Sequence, residues 1–340
     1  MSVQQAEQTT THASVASATS RTPGRIILRQ LRELPLLPVL IVVVILGAIT
    51  NGAFFSPDNL INILAQSSVL GVLVIAETLI LIVGRIDLSV ESVVTLAPLF
   101  GVWLLLGGFG LGINPVLALI ITLALGALVG LVNGLFVMKV NLNPFVVTLA
   151  MLILLRGLAQ GVAQGNSLYG ISDVYLYLGS ATWLEVPVSV WIAAILFLGV
   201  GLFLRYHRTG RAMYAIGGNE QSARAAGIRV NRLVIGTFVV AGLLAALAGI
   251  MLTGRLAAVT ATQGQNLVFS VLAACVIGGI SLNGGRGRLI GALTGVLLLG
   301  VVQNLLVLSN IASYWIDATY GVIILIALVL ARVTGGKDKL

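Results

Sequence analysis

Few groups in this chain can do chemistry, and most of those are amides. Asn62, Gln66, Glu77, Asn133, Thr148, Gln303 and Asn304 all stand inside long apolar runs. Asn62 and Gln66 are four residues apart and share one helical face, and Glu77 lies eleven further on, close to three turns. Polar groups inside a membrane are functional candidates by default. Many hydrogen-bonding groups with few fixed charges suit the passage of an uncharged hydrophilic molecule. The competing reading for each residue is an interhelical hydrogen bond, worth about 0.6 kcal/mol. Taken together they predict a polar pathway. Other chemistry is excluded. Cys275 is the only cysteine, so there is no intrachain disulfide and no thiolate cluster, and His12 and His207 fall in a tail and a loop. No metal, cofactor or nucleophile–base pair is implied. Gly285-Arg286-Gly287-Arg288-Leu289-Ile290-Gly291 lacks the Lys-Ser/Thr of a phosphate loop and precedes a membrane span rather than following a strand.

A second concentration of function lies in the basic stretch from Arg205 to Arg232, which holds six of the nineteen Lys and Arg residues. Thr209-Gly210-Arg211 and Gly217-Gly218 predict turns. Asn219 is placed to cap a helix, Glu220 lies in its first turn where the dipole favours an anion, and Gly227 fits the helix-ending position. The expectation is a helix of about two turns outside the bilayer, with Ala223 and Ala226 small enough to let a partner approach. The plainer alternative is a solvated loop that only sets topology.

These groups must be positioned by membrane helices. Hydrophobic residues make up 58% of the 340 residues and charged residues 9%, against roughly 25% charged in a soluble domain. Runs long enough to cross a bilayer fall near 35–54, 60–83, 90–107, 113–138, 144–162, 187–204, 232–253, 266–281, 288–308 and 314–332. Polar interruptions at 84–92 and 261–268 mark the third and eighth as candidates for re-entrant or broken helices. If residues 1–33 form a cytoplasmic tail, only Arg156 and Arg255 point outward, leaving seventeen of nineteen cations inside. That asymmetry places both termini in the cytoplasm. The fold class is therefore an all-α polytopic membrane protein with about ten transmembrane helices: a disordered tail over 1–33, a membrane domain over 34–333 and a short tail over 334–340. The net charge of +8 follows from this topology, and no nucleic-acid partner is implied. Gly242, Ala246 and Gly249, and Gly291, Gly295 and Gly300, predict close helix approach in lipid.

Four stretches, in order, carry a resemblance. Gly84-Arg85-Ile86-Asp87-Leu88-Ser89-Val90-Glu91-Ser92 is similar to a GGIDLSVGS motif, and Asn143-Pro144-Phe145-Val146-Val147-Thr148-Leu149-Ala150 with Arg156-Gly157 to NPFIVTLA…RG. Thr209-Gly210-Arg211 through Ile228 looks like a coupling loop, and Val276 to Gly287 resembles VIGGTSLxGGxG. Together, over about residues 35–332, the chain resembles the ribose-type sugar permeases, the membrane subunits of bacterial ATP-binding-cassette importers. The resemblance implies an inner-membrane location, a pair of permease subunits and an extracytoplasmic binding protein that delivers substrate. It also implies cytoplasmic ATP-binding subunits docked on Gly210, Arg211, Gly217, Asn219, Glu220, Ala223, Ala226 and Gly227, with ATP hydrolysed there and not in this chain. Phe145 and Thr148 would join the substrate pathway, and Asp87 and Ser89 would shape a structural turn. The implied cargo is a small uncharged sugar or polyol. Arg85 and Glu91 replace family glycines, and an Arg85–Glu91 or Arg85–Asp87 pair would offset the burial cost of the new charges. A branched-chain amino acid permease is the rival within the class. An ion-coupled transporter using Glu77 or Asp87 is the rival outside it.

Overall fold

The computed structural model describes residues 37–312, 315, 316, 318–322 and 325. The expected tails at 1–33 and 334–340, and most of the last span, lie outside the described residues. Among the described residues, the named α-helices run in order: α1 Leu37–Thr50, α2 Pro57–Ile82, α3 Val90–Leu105, α4 Pro115–Met138, α5 Pro144–Ala163, α6 Asp173–Ser180, α7 Val188–Tyr206, α8 Arg208–Gly218, α9 Glu220–Ala225, α10 Val230–Leu256, α11 Leu267–Ile277 and α12 Leu289–Leu308. A two-residue antiparallel pairing, Thr182–Trp183 with Val186–Pro187, closes the segment between α6 and α7.

Several starts are written locally. Ser56, Asn114 and Asn143 each precede a proline at the first turn, and each side chain accepts a backbone N–H of its own helix: Asn59 at 3.3 Å, Val116 at 2.8 Å and Phe145 at 2.9 Å. The missing proline N–H costs nothing there, because the first turn has no acceptor for it.

Among the described residues, six helices (α2, α4, α5, α7, α10 and α12) are long and apolar enough to cross a membrane. The spans expected at 90–107 and 266–281 are shorter. α3 has 16 residues and α11 has 11, and eleven residues rise only about 16 Å against a hydrocarbon core of about 30 Å. Both are broken where their polar sequences predicted. α3 is entered through a buried turn at 83–89, and α11 through the polar segment that folds back over α3.

α10 is the central post. Phe238, Ala241, Ala245, Ala246, Ala248, Ile250 and Met251 are all fully buried. Its neighbour α4 approaches so closely that a Cβ on Gly130 would meet the Phe238 carbonyl, and one on Gly242 the Gly126 carbonyl. Contact of this kind replaces the hydrophobic effect as the source of helix affinity in lipid. Gly249 packs likewise on Val94 and Pro98, Gly295 on Ala274 and Gly300 on Ser67. By contrast α4, α5 and α7 turn Ile120, Leu128, Ile153, Leu154, Ile195 and Leu198 outward, an apolar belt suited to lipid or to another membrane subunit.

Candidate functional site

The turn between α2 and α3 is built from buried polar groups. Asp87 accepts from the Ser89 N–H at 2.9 Å and from the Ser89 hydroxyl at 2.6 Å, and Asn133 of α4 donates to that hydroxyl's oxygen at 2.8 Å. Glu77 of α2 accepts from the Asp87 N–H at 3.3 Å, and Thr148 of α5 donates to the Ile86 carbonyl at 3.4 Å. Asp87, Ser89, Glu77, Asn133 and Thr148 are at most 1% exposed. A chain that breaks a helix inside a membrane protein must find partners for the freed backbone groups, and these residues supply several of them.

One turn away lies a junction of glycines. Gly84, Gly284 and Gly285 adopt positive φ values of 74°, 86° and 67°, which only glycine accepts without strain. The Gly285 N–H donates to the Ile82 carbonyl at 3.0 Å. A Cβ on Gly217, at the end of α8, would collide with the Ile82 carbonyl and the Gly285 nitrogen. The loops after α2 and after α11 therefore meet the basic stretch backbone to backbone. These two loops, 84–89 and 278–283, also echo one another in sequence.

The basic stretch is two helices, and one expectation needs correcting. Thr209-Gly210-Arg211 is not a turn. His207 caps α8 by accepting the Thr209 N–H at 3.2 Å, and the helix runs through 208–218. Gly210 serves close approach, since a Cβ there would meet the Phe203 carbonyl and Leu204. Gly217 likewise belongs to the helix and not to a turn. The second helix matches its sequence signals. Asn219 accepts from the Ser222 N–H at 2.8 Å, and Gly227 takes φ 81°. The Gly227 N–H reaches the Arg224 carbonyl and the Ile228 N–H reaches that of Ala223, at 3.0 and 3.1 Å. Those two bonds are a Schellman ending. Ala223 is buried, 4% exposed, against the protein's own core, whereas Ala226, Gly227 and Arg211 face outward. Ala223 thus seats α9, and the outward residues are the ones a partner could touch.

Arg85 does not pair with Glu91 or Asp87, as its nearness in sequence suggested. It reaches Glu220 at 2.6 Å across 135 residues, and Glu220 also binds Arg224 at 2.6 Å. Partial burial pushes the Glu220 carboxyl up, but hydrogen bonds from Arg224 and Arg85, with their charges, outweigh it and hold the group below its ordinary value. The Arg85 and Glu220 side chains are 20% and 31% exposed, so solvent screening limits the pair to about 1 kcal/mol. Restoring the family residue with Arg85→Gly is expected to raise the open population of the loop roughly fivefold. Tryptic cleavage after Arg224 in the purified protein reads this directly, because proteolysis tracks the open fraction. An unchanged rate would mean the pair holds nothing.

The remaining candidates separate. Asn304 pairs with Asn59 through bonds of 2.7 and 3.0 Å, and Gln303 accepts from the Tyr320 hydroxyl at 2.8 Å. Asn62 is exposed and Gln66 half-buried on α2, and Phe145 is 49% exposed. The even spacing from Asn62 to Glu77 therefore does not mark one environment. Sequence reasoning missed a polar cavity of about 110 Å³ lined by Glu91, Thr95, Arg156, Gln160, Thr262 and Gln265. The signal was present: Glu91 was a departure and Arg156 was one of two cations on the outer side.

A bundle of apolar helices with an ordered basic loop fixed to its core defines a membrane transport subunit. A family model described as "Branched-chain amino acid transport system / permease component" matches residues 59–329. The ribose import permease protein of Escherichia coli is 37% identical over 304 residues, 88% of this chain and 94% of that one. The D-allose transport system permease protein of the same species is 32% identical over 293 residues, 86% and 89% of the two chains. The L-arabinose ABC transporter permease protein of Azospirillum brasilense is 31% identical over 280 residues, 82% and 81%. No solved structure matches. The chain belongs to the ribose-type sugar permease family of ATP-binding-cassette importers, and it is a multi-pass inner-membrane protein.

Proposed function

We propose that this chain is one of two permease subunits that carry a small neutral sugar or polyol across the inner membrane, driven by separate cytoplasmic ATP-binding subunits and supplied by an extracytoplasmic binding protein. The observation that carries the reading is α9, a short capped helix tied to the α2–α3 turn by the Arg85–Glu220 pair, next to the glycine contacts that Gly217 makes at the end of α8. A loop that only set topology would need no such seat. The outward residues of the 208–228 stretch are the docking surface, and closure of the ATP-binding subunits biases the bundle between inward- and outward-open states through it. Asn62, Gln66 and Phe145 reach the surface of the single chain, where they can face a path shared by two copies. Isolation of the chain in mild detergent tests the assembly: ATP-binding subunits should co-purify, and Arg211→Glu with Ala226→Glu should release them. Uptake that survives ATP depletion but fails with a protonophore would instead favour an ion-coupled transporter at Glu77 and Asp87. The relatives named as sugar permeases speak against the amino-acid alternative.

The same reading orients about ten spans with both termini cytoplasmic. Gly218→Cys and Asn310→Cys, both at exposed positions, should label from opposite faces, Gly218 from the cytoplasm. Cys275 is fully buried and gives little background. Labelling of Gly218→Cys from outside intact cells would invert the arrangement.

A further inference from the structure

The cavity lined by Glu91 and Arg156 belongs neither to the loop nor to the α2–α3 turn. It opens between α3, α5 and the polar segment ahead of α11, and its walls are held in place. The Gly264 N–H donates to the Thr95 hydroxyl oxygen at 3.0 Å, and the Gln263 amide donates to the Val94 carbonyl at 2.9 Å. Glu91 is ion-paired with Arg156, and its other carboxylate oxygen accepts from the Val268 N–H at 3.5 Å. The Glu91 side chain is 3% exposed, whereas that of Arg156 is 42% exposed.

Depth makes this unusual. Arg156 lies twelve residues into α5 after Pro144, about 18 Å along the helix and so inside a helix long enough to cross a hydrocarbon layer of about 30 Å. A half-exposed guanidinium at that depth is costly against lipid and must meet water, protein or cargo. The adjoining face of α5, which carries Ile153 and Leu154, is different: a Cβ on Gly157 or Gly161 would touch nothing within 4 Å, and the wider, mostly apolar groove there, walled by Trp103, Leu158 and Val162, shares no residue with the polar cavity. The ion pair therefore belongs to the small polar cavity between α3, α5 and the segment ahead of α11.

Glu91 and Arg156 are the only charged residues lining this cavity, so its formal charge is zero. A charged cargo would have to break the pair or leave its own charge unneutralised away from water. A neutral polyol meets neither cost. Its adjacent hydroxyls can donate to the carboxylate and accept from the guanidinium, both charge-assisted bonds, while Gln160, Gln265, Thr95 and Thr262 both donate and accept.

We propose that this cavity is where the permease recognises its cargo, a neutral polyhydroxylated molecule of monosaccharide size, with Glu91 accepting from adjacent hydroxyls and Arg156 donating to them. The proposal rests on the importer reading, which it sharpens by naming the residues that select. Because the family motif carries glycine at position 91, the carboxylate gives this chain a selectivity of its own.

The test uses the full-length protein in lipid nanodiscs with Gln160→Cys or Thr262→Cys as reporters at the cavity. The rate of labelling by a small charged thiol reagent is measured with D-ribose, D-allose or L-arabinose as probes, and with ribose 5-phosphate and leucine as charged and zwitterionic controls. At least one neutral sugar should slow labelling, and the controls should not. In Glu91→Gln/Arg156→Gln, which removes both charges together, the protective sugar concentration should rise about tenfold or more, the value of one charge-assisted hydrogen bond. If that double variant fails to accumulate, Glu91→Asp keeps the pair's charge while withdrawing the carboxylate, and the order of preference among the three sugars should change. Protection by none of the sugars, stronger protection by the phosphate or leucine, or sugar protection unaltered in these variants would overturn the proposal and leave the pair a structural tie. Co-purification of ATP-binding subunits is scored on the same samples, so loss of the importer reading is distinguishable from loss of this one.

Discussion

Gly217→Val is expected to abolish sugar-dependent ATP hydrolysis by the assembled importer, while Gly218→Val leaves it close to that of the unaltered protein. The two glycines are adjacent in sequence and opposite in consequence. A Cβ on Gly217 would strike the Ile82 carbonyl and the Gly285 backbone, whereas one on Gly218 would meet nothing within 4 Å. The obstructing atoms are main chain, and they cannot swing aside as a flexible side chain would. Gly84, Gly284 and Gly285 are themselves held at positive φ, so the junction has no slack. Forcing it apart costs about 3 kcal/mol of misfit, and the relaxed state is one in which α8 and α9 have separated from the α2–α3 turn. ATP-binding subunits can still touch such a loop, but their closure no longer moves the membrane helices. The expected signature is retained association with hydrolysis no longer stimulated by binding protein and sugar. Full stimulation in Gly217→Val would show that force does not pass through this junction.

The same glycine illustrates what the sequence could not disclose. Gly210 and Gly217 look like turn formers when only neighbours in the chain are considered. The fold uses both for close approach, which depends on backbone from residues more than sixty positions away in the case of Gly217 and Gly285. Asn219 and Gly227 were legible because caps are made with atoms two to five residues distant. The broken helices at α3 and α11 were legible for a related reason: a polar run cannot lie in a lipid-facing helix. The partners of Arg85 and Glu91 were not. Nearness in sequence suggests that Arg85 meets Glu91 or Asp87, yet Arg85 turns to Glu220 and Glu91 to Arg156. Long-range ion pairs leave no periodic trace. Asn59 shows the same limit from the other side. It was passed over beside Asn62, although it is Asn59 that binds the buried Asn304.

Asp87→Ala is expected to remove most of the folded protein, and Asn133→Leu to lose folded protein and transport together. From sequence alone the two residues suggest different tasks, one in a turn and the other on the substrate path. The structure joins them in one chain of bonds, Asn133 to Ser89 and Ser89 to Asp87, at 2.8 and 2.6 Å, with all three at most 1% exposed. Asp87 also accepts the Ser89 N–H, so alanine at 87 strips two bonds to a carboxylate and leaves a buried N–H and hydroxyl without it. Each such bond contributes about 1.5–3 kcal/mol, which makes a total of about 3–6 kcal/mol for the pair. That is a large part of the 5–15 kcal/mol typical of a folded domain. Asn133→Leu breaks one neutral bond and should cost about 1–2 kcal/mol. Monodisperse yield and unfolding temperature in detergent should fall in that order, with Asp87→Ala far below Asn133→Leu. The comparison also decides what Asn133 is for. If its leucine variant accumulates normally and unfolds at the usual temperature yet no longer transports, the amide handles cargo and the turn does not depend on it.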